Sequence, residues 1–168
     1  MILSGDTIRM LLSGPIGARV PVLEPFEERT RMDVPGPGSS LLSLSYGLSM
    51  AGYDVRLDQD VKLGPAFSHE SFSLASTLER FSMPNDVLAI VHDKSTWARL
   101  GLSVFNTVIE PGWRGYLTME LSNRGPHSLH IPRGSPIAQI VFHRVDRATS
   151  GYGDSKYQDQ ERGPVEAK

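Results

Sequence analysis

The sequence has no cysteine. Disulfides, thiol nucleophiles and Cys-ligated metals are excluded together. So are the zinc sites of nucleobase deaminases, which need a Cys-x-x-Cys pair beside a His or Cys ligand. Histidine is scarce, with five in 168 residues. His127 and His130, just after a Gly-Pro turn, do not have metal-ligand spacing. Neither sign of charge dominates: 17 Lys and Arg stand against 19 Asp and Glu, for a net charge of -2. A surface that coats nucleic acid is therefore not expected. No apolar run approaches the roughly 20 residues of a membrane-spanning helix. The N-terminus lacks a signal-peptide pattern, so a cytoplasmic protein with no membrane partner is the expectation.

What is present suits one folded domain, with 39% hydrophobic and 21% charged residues. Ser4 is placed to cap a short opening helix that reaches Ser13, with Ile8, Leu11 and Leu12 on one face and Gly14-Pro15 as its stop. Residues 15–40 are rich in Pro and Gly and predict irregular structure, with a turn at Pro35-Gly36-Pro37-Gly38. Leu41 to Leu48 and Tyr53 to Leu57 read as strands. Between Val61 and Ser82 the pattern is weak and predicts short strands and loops. Val87 to His92 is a buried strand by its β-branched content. Lys94 to Leu100 predicts one or two helical turns ended by Gly101, and Leu102 to Ile109 a further strand. Gly115 to Ser122 alternates, with Leu117, Met119 and Leu121 on one face and Tyr116, Thr118, Glu120 and Ser122 on the other. Leu129 to Ile131 and Ile137 to Arg144 complete the set. Short strands between Gly, Pro and Asn turns predict a mainly β protein, a barrel or jelly-roll-like sandwich. The domain spans 1–146. Residues 147–168 read by composition as a mobile tail.

Three groups in the domain and one in the tail carry the chemical signal. Lys94, Ser95, Thr96 and Arg99 form a compact donor set suited to phosphate oxygens. A capped surface helix with solvated charges is the plainer alternative, and spacing alone favours it. Glu120 is a single carboxylate inside a strand. On an open face it would simply meet solvent. In a cleft, desolvation would raise its pKa and suit it to moving protons near neutral pH. Glu110 closes the strand before Pro111-Gly112, and Trp113 is either core or a stacking platform. In the tail, Tyr152, Lys156 and Gln160 are the residue types that stack on and hydrogen-bond a nucleotide.

Several stretches together resemble the dCTP deaminase and dUTPase superfamily, and most closely the dCTP deaminases. They are Met1-Ile2-Leu3-Ser4-Gly5-Asp6, Ser45 to Ser49 leading into Gly52-Tyr53-Asp54-Val55-Arg56-Leu57, and Lys94-Ser95-Thr96-Trp97-Ala98-Arg99. They continue with Glu110-Pro111-Gly112-Trp113-Arg114-Gly115 through Asn123, Ile137-Ala138-Gln139-Ile140, and Lys156-Tyr157-Gln158-Asp159-Gln160. The order along the chain is that of the family. Lys94 stands where many members carry Arg, Trp97 where many carry Leu, and Glu110 replaces the common Asp.

The resemblance implies a dUTPase-type distorted barrel, assembled as a homotrimer with sites between neighbouring subunits. It implies hydrolytic deamination of dCTP to dUTP and ammonia, which supplies dUMP for thymidylate synthesis. Glu120 would be the general base and acid, with Ser95 and Arg99 positioning the water and polarising the site. Lys94, Thr96, Lys156 and Gln160 would hold phosphates, and Trp97 and Ala98 belong to the same nucleotide loop. Thr118 and Met119 would line the base pocket through backbone groups. Glu110 would meet the 3′-hydroxyl, and Tyr152 would stack on or cap the nucleotide. Mg2+ is implied on the triphosphate, with no zinc, and dTTP as an inhibitor. A bifunctional dCTP deaminase/dUTPase, a plain dUTPase and a non-catalytic nucleotide-binding regulator are the alternatives.

Overall fold

The structure, a computed structural model, describes residues 1–13, 22–38 and 40–167. Helix α1 (Gly5–Ser13) begins after Ser4, whose Oγ accepts from the Thr7 backbone N–H at 3.4 Å. Ile8 is buried and Leu11 packs against the core. The proposed stop at Gly14-Pro15 and the side chain of Leu12 lie outside the described residues.

Among the described residues, twelve strands follow the helix in chain order. They are β1 (Leu23–Glu24), β2 (Thr30–Pro35), β3 (Leu41–Leu48), β4 (Tyr53–Arg56), β5 (Val61–Leu63) and β6 (Phe72–Ser82). Then come β7 (Val87–Asp93), β8 (Leu102–Val104), β9 (Val108–Ile109), β10 (Arg114–Asn123), β11 (Leu129–Ile131) and β12 (Pro136–Arg144), with helix α2 (Ser95–Ala98) after β7. One sheet has the order β2-β3-β4-β12-β7-β9, a second β1-β6-β10-β8, and β5 pairs with β11. Val55, Val91, Ile140 and Phe142 from the first sheet join Leu23, Phe81, Met119 and Leu121 from the second in one hydrophobic cluster. The core therefore lies between the two large sheets, as in a sandwich or closed barrel.

Three sequence expectations need correction. Residues 15–40 are not irregular throughout. β2 and β3 form a hairpin, in register from Thr30↔Tyr46 to Pro35↔Leu41. Pro35-Gly36-Pro37-Gly38 is its turn, with Gly36 N–H donating to the Ser40 carbonyl at 2.9 Å. Second, β6 is one strand of 11 residues rather than several short pieces. Its buried Ser76, Thr77 and Glu79 interrupt the apolar alternation. They are satisfied internally: Thr77 Oγ1 donates to the Glu79 carbonyl at 2.7 Å, and the Glu79 carboxylate takes Arg56. Third, Leu102 to Ile109 is two strands. β8 pairs with β10 and β9 with β7, so the chain changes sheet across Phe105-Asn106-Thr107. That crossing builds one wall of the site described below.

β10 is the organising strand. It pairs with β6 along most of its length, with a register shift between Tyr116 and Thr118. On its other side β8 reaches only Leu121 to Asn123. The chain end fills part of the gap, with Gly115 bridged to Gln160 and Tyr116 N–H donating to the Gln160 carbonyl at 3.0 Å. Gly115 has φ 140°, and a Cβ there would lie 2.6 Å from the Gln160 nitrogen. Only glycine admits this approach. No helix among the described residues is long and apolar enough to cross a membrane.

Candidate active site

Glu120 lies on β10 opposite Leu74 of β6. Its carboxylate enters a cleft of about 530 Å3, walled by Leu74, Val108, Ile109, Trp113 and Leu117 and carrying Glu110 and Thr118. The Glu120 Oε2 atom is buried and has no hydrogen-bond partner. Among the described residues, no Lys or Arg lines the cleft. Burial therefore pushes the Glu120 carboxyl above the usual carboxylate range, opposed only by a backbone hydrogen bond.

The tail packs over the same cleft. Trp113 is buried, and its indole N–H donates to the Tyr157 carbonyl at 2.7 Å. Gln158 Nε2 donates to the Gly112 carbonyl at 3.1 Å. Arg114 makes a two-point contact with Asp159, at 2.9 Å through Nε and 2.9 Å through Nη2. The guanidinium holds the Asp159 carboxyl below its ordinary range. Thr118 Oγ1 accepts from the Gln160 side-chain amide and, at 3.0 Å, from Val165 N–H. Tyr152, Tyr157, Gln160 and Val165 thus join Glu120 in lining the cleft.

Lys94 and Ser95 line a different cleft, of about 570 Å3, with Arg29, Ser45, Asp54 and Asp93. Lys94 Nζ donates to Asp54 Oδ2 at 2.8 Å, and both side chains are about nine-tenths buried. Trp97 is buried and its indole N–H donates to the Pro136 carbonyl at 2.6 Å. That places its ring in the core cluster.

Within one chain, Glu120, Glu110, Thr118, Tyr152 and Gln160 come together. Lys94 and Ser95 share the second cleft, and Thr96, Ala98 and Arg99 line neither. The Met119 side chain is 1% exposed, in the core. Lys156 is exposed, with its ammonium 5.1 Å from the Tyr157 ring centre. Sequence reading did not find Leu74, Val108, Tyr157, Val165 or Arg29. Leu74 needs the β6–β10 register, and Val165 needs the path of the tail, and neither has a local motif.

Solved structures with a similar fold include dUTPases. The Staphylococcus bacteriophage 80alpha enzyme superposes with a TM-score of 0.53 at 16% identity, over 79% of this chain and 95% of that one. The equine infectious anaemia virus (EIAV) enzyme gives 0.50 at 19% identity, over 62% and 85%. The fold is thus of the dUTPase type. Within that class, residues 64–145 match the family model described as dCTP deaminase-like. The dCTP deaminase of Campylobacter fetus subsp. fetus is 39% identical over 146 residues, 70% of this chain and 78% of that protein. The Chlamydia muridarum dCTP deaminase is 34% identical over 168 residues, 83% and 87% respectively. The chain belongs to the dCTP deaminase family.

Proposed function

We propose that the protein hydrolyses dCTP to dUTP and ammonia, with Glu120 as general base and then general acid. Water loses a proton to Glu120 as its oxygen bonds to C4 of cytosine. Glu120 passes that proton to N3. The remaining hydroxyl proton then travels to the amine as the C4–N bond breaks, leaving the C4 carbonyl of uracil and ammonia. The observation that carries this reading is the buried Oε2 of Glu120, without a hydrogen-bond partner among the described residues, in a cleft with apolar walls. Such a carboxylate is poised to exchange protons rather than to bridge a salt link. Thr118 and Gln160 would face the nucleotide, Glu110 its 3′-hydroxyl, and Tyr152 would cap it as the tail closes.

Ser95 and Arg99 are assigned to positioning the water and polarising the ring. They can do so beside Glu120 only if the Lys94–Ser95 cleft of one subunit meets the Glu120 cleft of its neighbour. A homotrimer with shared sites satisfies that requirement. Thr96 and Lys156 would add phosphate contacts in the assembled site. Mg2+ would be held through the triphosphate oxygens and offset their charge. The product would feed dUMP and thymidylate synthesis in the cytoplasm, with dTTP as the expected inhibitor.

The test is incubation of purified protein with dCTP and Mg2+, followed by chromatographic separation of the products. Accumulating dUTP, lost in Glu120→Gln, supports the deaminase. Because Glu110 lines the same cleft as Glu120, dUMP and pyrophosphate would identify a bifunctional enzyme instead. Nucleotide binding with no turnover of dCTP or dUTP would leave only a regulatory binder.

A further inference from the structure

The cleft that holds Lys94 and Ser95 has a charge arrangement that the family motif does not announce. Lys94 and Asp54 form a buried pair at 2.8 Å, so the lysine brings little net charge to an incoming anion. Asp93 uses Oδ1 to accept from Val104 N–H at 2.7 Å. The remaining charged lining residue is Arg29. Its side chain is exposed, and it has no ion pair or side-chain hydrogen bond among the described residues.

The position of Arg29 is built by the fold. It immediately precedes β2 and is carried to the cleft by a close crossing of the 27–28 backbone over β3. At that crossing Gly47 has φ 81°, and a Cβ there would meet the Glu28 carbonyl at 2.5 Å and the Glu27 carbonyl at 2.6 Å. Leu48 N–H donates to the Glu27 carbonyl at 3.0 Å. Gly47 pairs directly with Asp54 in the β3–β4 register. The crossing therefore delivers residue 29 to the edge of the Asp54–Lys94 pair.

We propose that Arg29 is a phosphate-binding residue of this enzyme, gripping the polyphosphate of the nucleotide in the Lys94–Ser95 cleft. The inference rests on the nucleotide reading above. A guanidinium makes two parallel bonds to a phosphate, which the paired Lys94 ammonium does not. Lys94 then acts chiefly with Asp54 to fix the floor of the cleft, and Arg29 supplies the mobile cation that closes on the anion.

The experiment measures inorganic tripolyphosphate binding by calorimetry, and dCTP kinetics, on the full-length protein. Arg29→Gln, Arg29→Lys and Arg31→Gln are compared with wild type. Arg31 is exposed on the same hairpin and does not line the cleft. Loss of a charged hydrogen-bonding partner predicts that Arg29→Gln weakens tripolyphosphate by about tenfold or more. It should raise the dCTP KM similarly with kcat nearly unchanged. Arg29→Lys should fall between, and Arg31→Gln should match wild type. Tripolyphosphate affinity that is undetectable in wild type, or unchanged in Arg29→Gln, overturns the assignment, as would an equal loss in Arg31→Gln. Arg29-dependent tripolyphosphate binding without deamination would uphold Arg29 and sink the deaminase reading. Deamination with a wild-type KM in Arg29→Gln would do the reverse.

Discussion

The two clefts of this chain are made of opposite materials. The Glu120 cleft is walled by Leu74, Val108, Ile109 and Trp113 and has no cation among its described lining residues. The Lys94 cleft carries two cations, two carboxylates and serine hydroxyls. An apolar wall raises the pKa of a lone carboxylate and prepares it for proton transfer. A charged cleft can order an anion, and here Asp54 is paired with Lys94 while Asp93 accepts from Val104 N–H. The proposed base and the proposed phosphate site would need these different surroundings, and one strand framework carries both clefts.

The sharpest way to break the comparison is to remove the proposed base. Glu120→Gln should lower kcat by about 10²–10⁴-fold, the usual range for a general acid–base group. It should not lower the melting temperature, because the carboxylate leaves an unpartnered buried oxygen. The sign of the pH effect follows from the raised pKa of Glu120. The folded state holds this proton more tightly than the unfolded chain, so ionised Glu120 costs stability above its folded pKa. That cost disappears as pH falls towards the ordinary carboxylate value. Activity should run the other way, falling as pH drops through the raised pKa. A rate profile that is flat through the range above an ordinary carboxylate pKa would contradict this.

Next in size is the joint between the clefts. Arg56 lies on β4, two residues from Asp54, and Glu79 lies on β6, the strand that also carries Leu74. Arg56 Nε donates to Glu79 Oε1 at 2.7 Å, and Arg56 N–H donates to Oε2 at 2.9 Å. Glu79 is completely buried. Glu79→Gln should destabilise the fold by roughly 3–5 kcal/mol, the range for breaking one side of a buried pair. Urea unfolding measures this, and both clefts should lose ligand binding together. A third test mixes inactive Glu120→Gln and Ser95→Ala subunits under conditions that exchange chains. Shared sites predict that some activity returns in the mixture. Self-contained sites predict none.

The sequence made the outline of this molecule readable where local chemistry and local structure coincide. β10 showed its face through Leu117, Met119 and Leu121, and Ser4 showed the helix start. The resemblance drew attention to Glu120 before any geometry was known. Other features were hidden because their cause is not local. β6 holds a buried Glu79 that Arg56 of β4 makes tolerable. The β2–β3 hairpin hides in a Pro- and Gly-rich stretch because its turn needs those residues. Lys94 looks like a free phosphate ligand until Asp54, 40 residues away, is placed against it.

The smallest effect expected is at the seam between tail and barrel. Asp159 is exposed and paired with Arg114 at 2.9 Å, and such pairs add little to global stability. The melting temperature of Asp159→Asn should therefore match wild type. The pair has another consequence through its position. Asp159 is adjacent to Gln160, whose backbone bridges Gly115 and whose side chain reaches Thr118 at the floor of the Glu120 cleft. Loosening Asp159 should free the tail to leave β10 more often, and proteolysis near residues 150–160 should become faster. If the tail closes over the nucleotide, the dCTP KM should rise a few-fold with kcat nearly unchanged. Faster proteolysis with an unchanged KM would show that the seam orders the tail without serving the apolar cleft, and would confine substrate grip to the charged one.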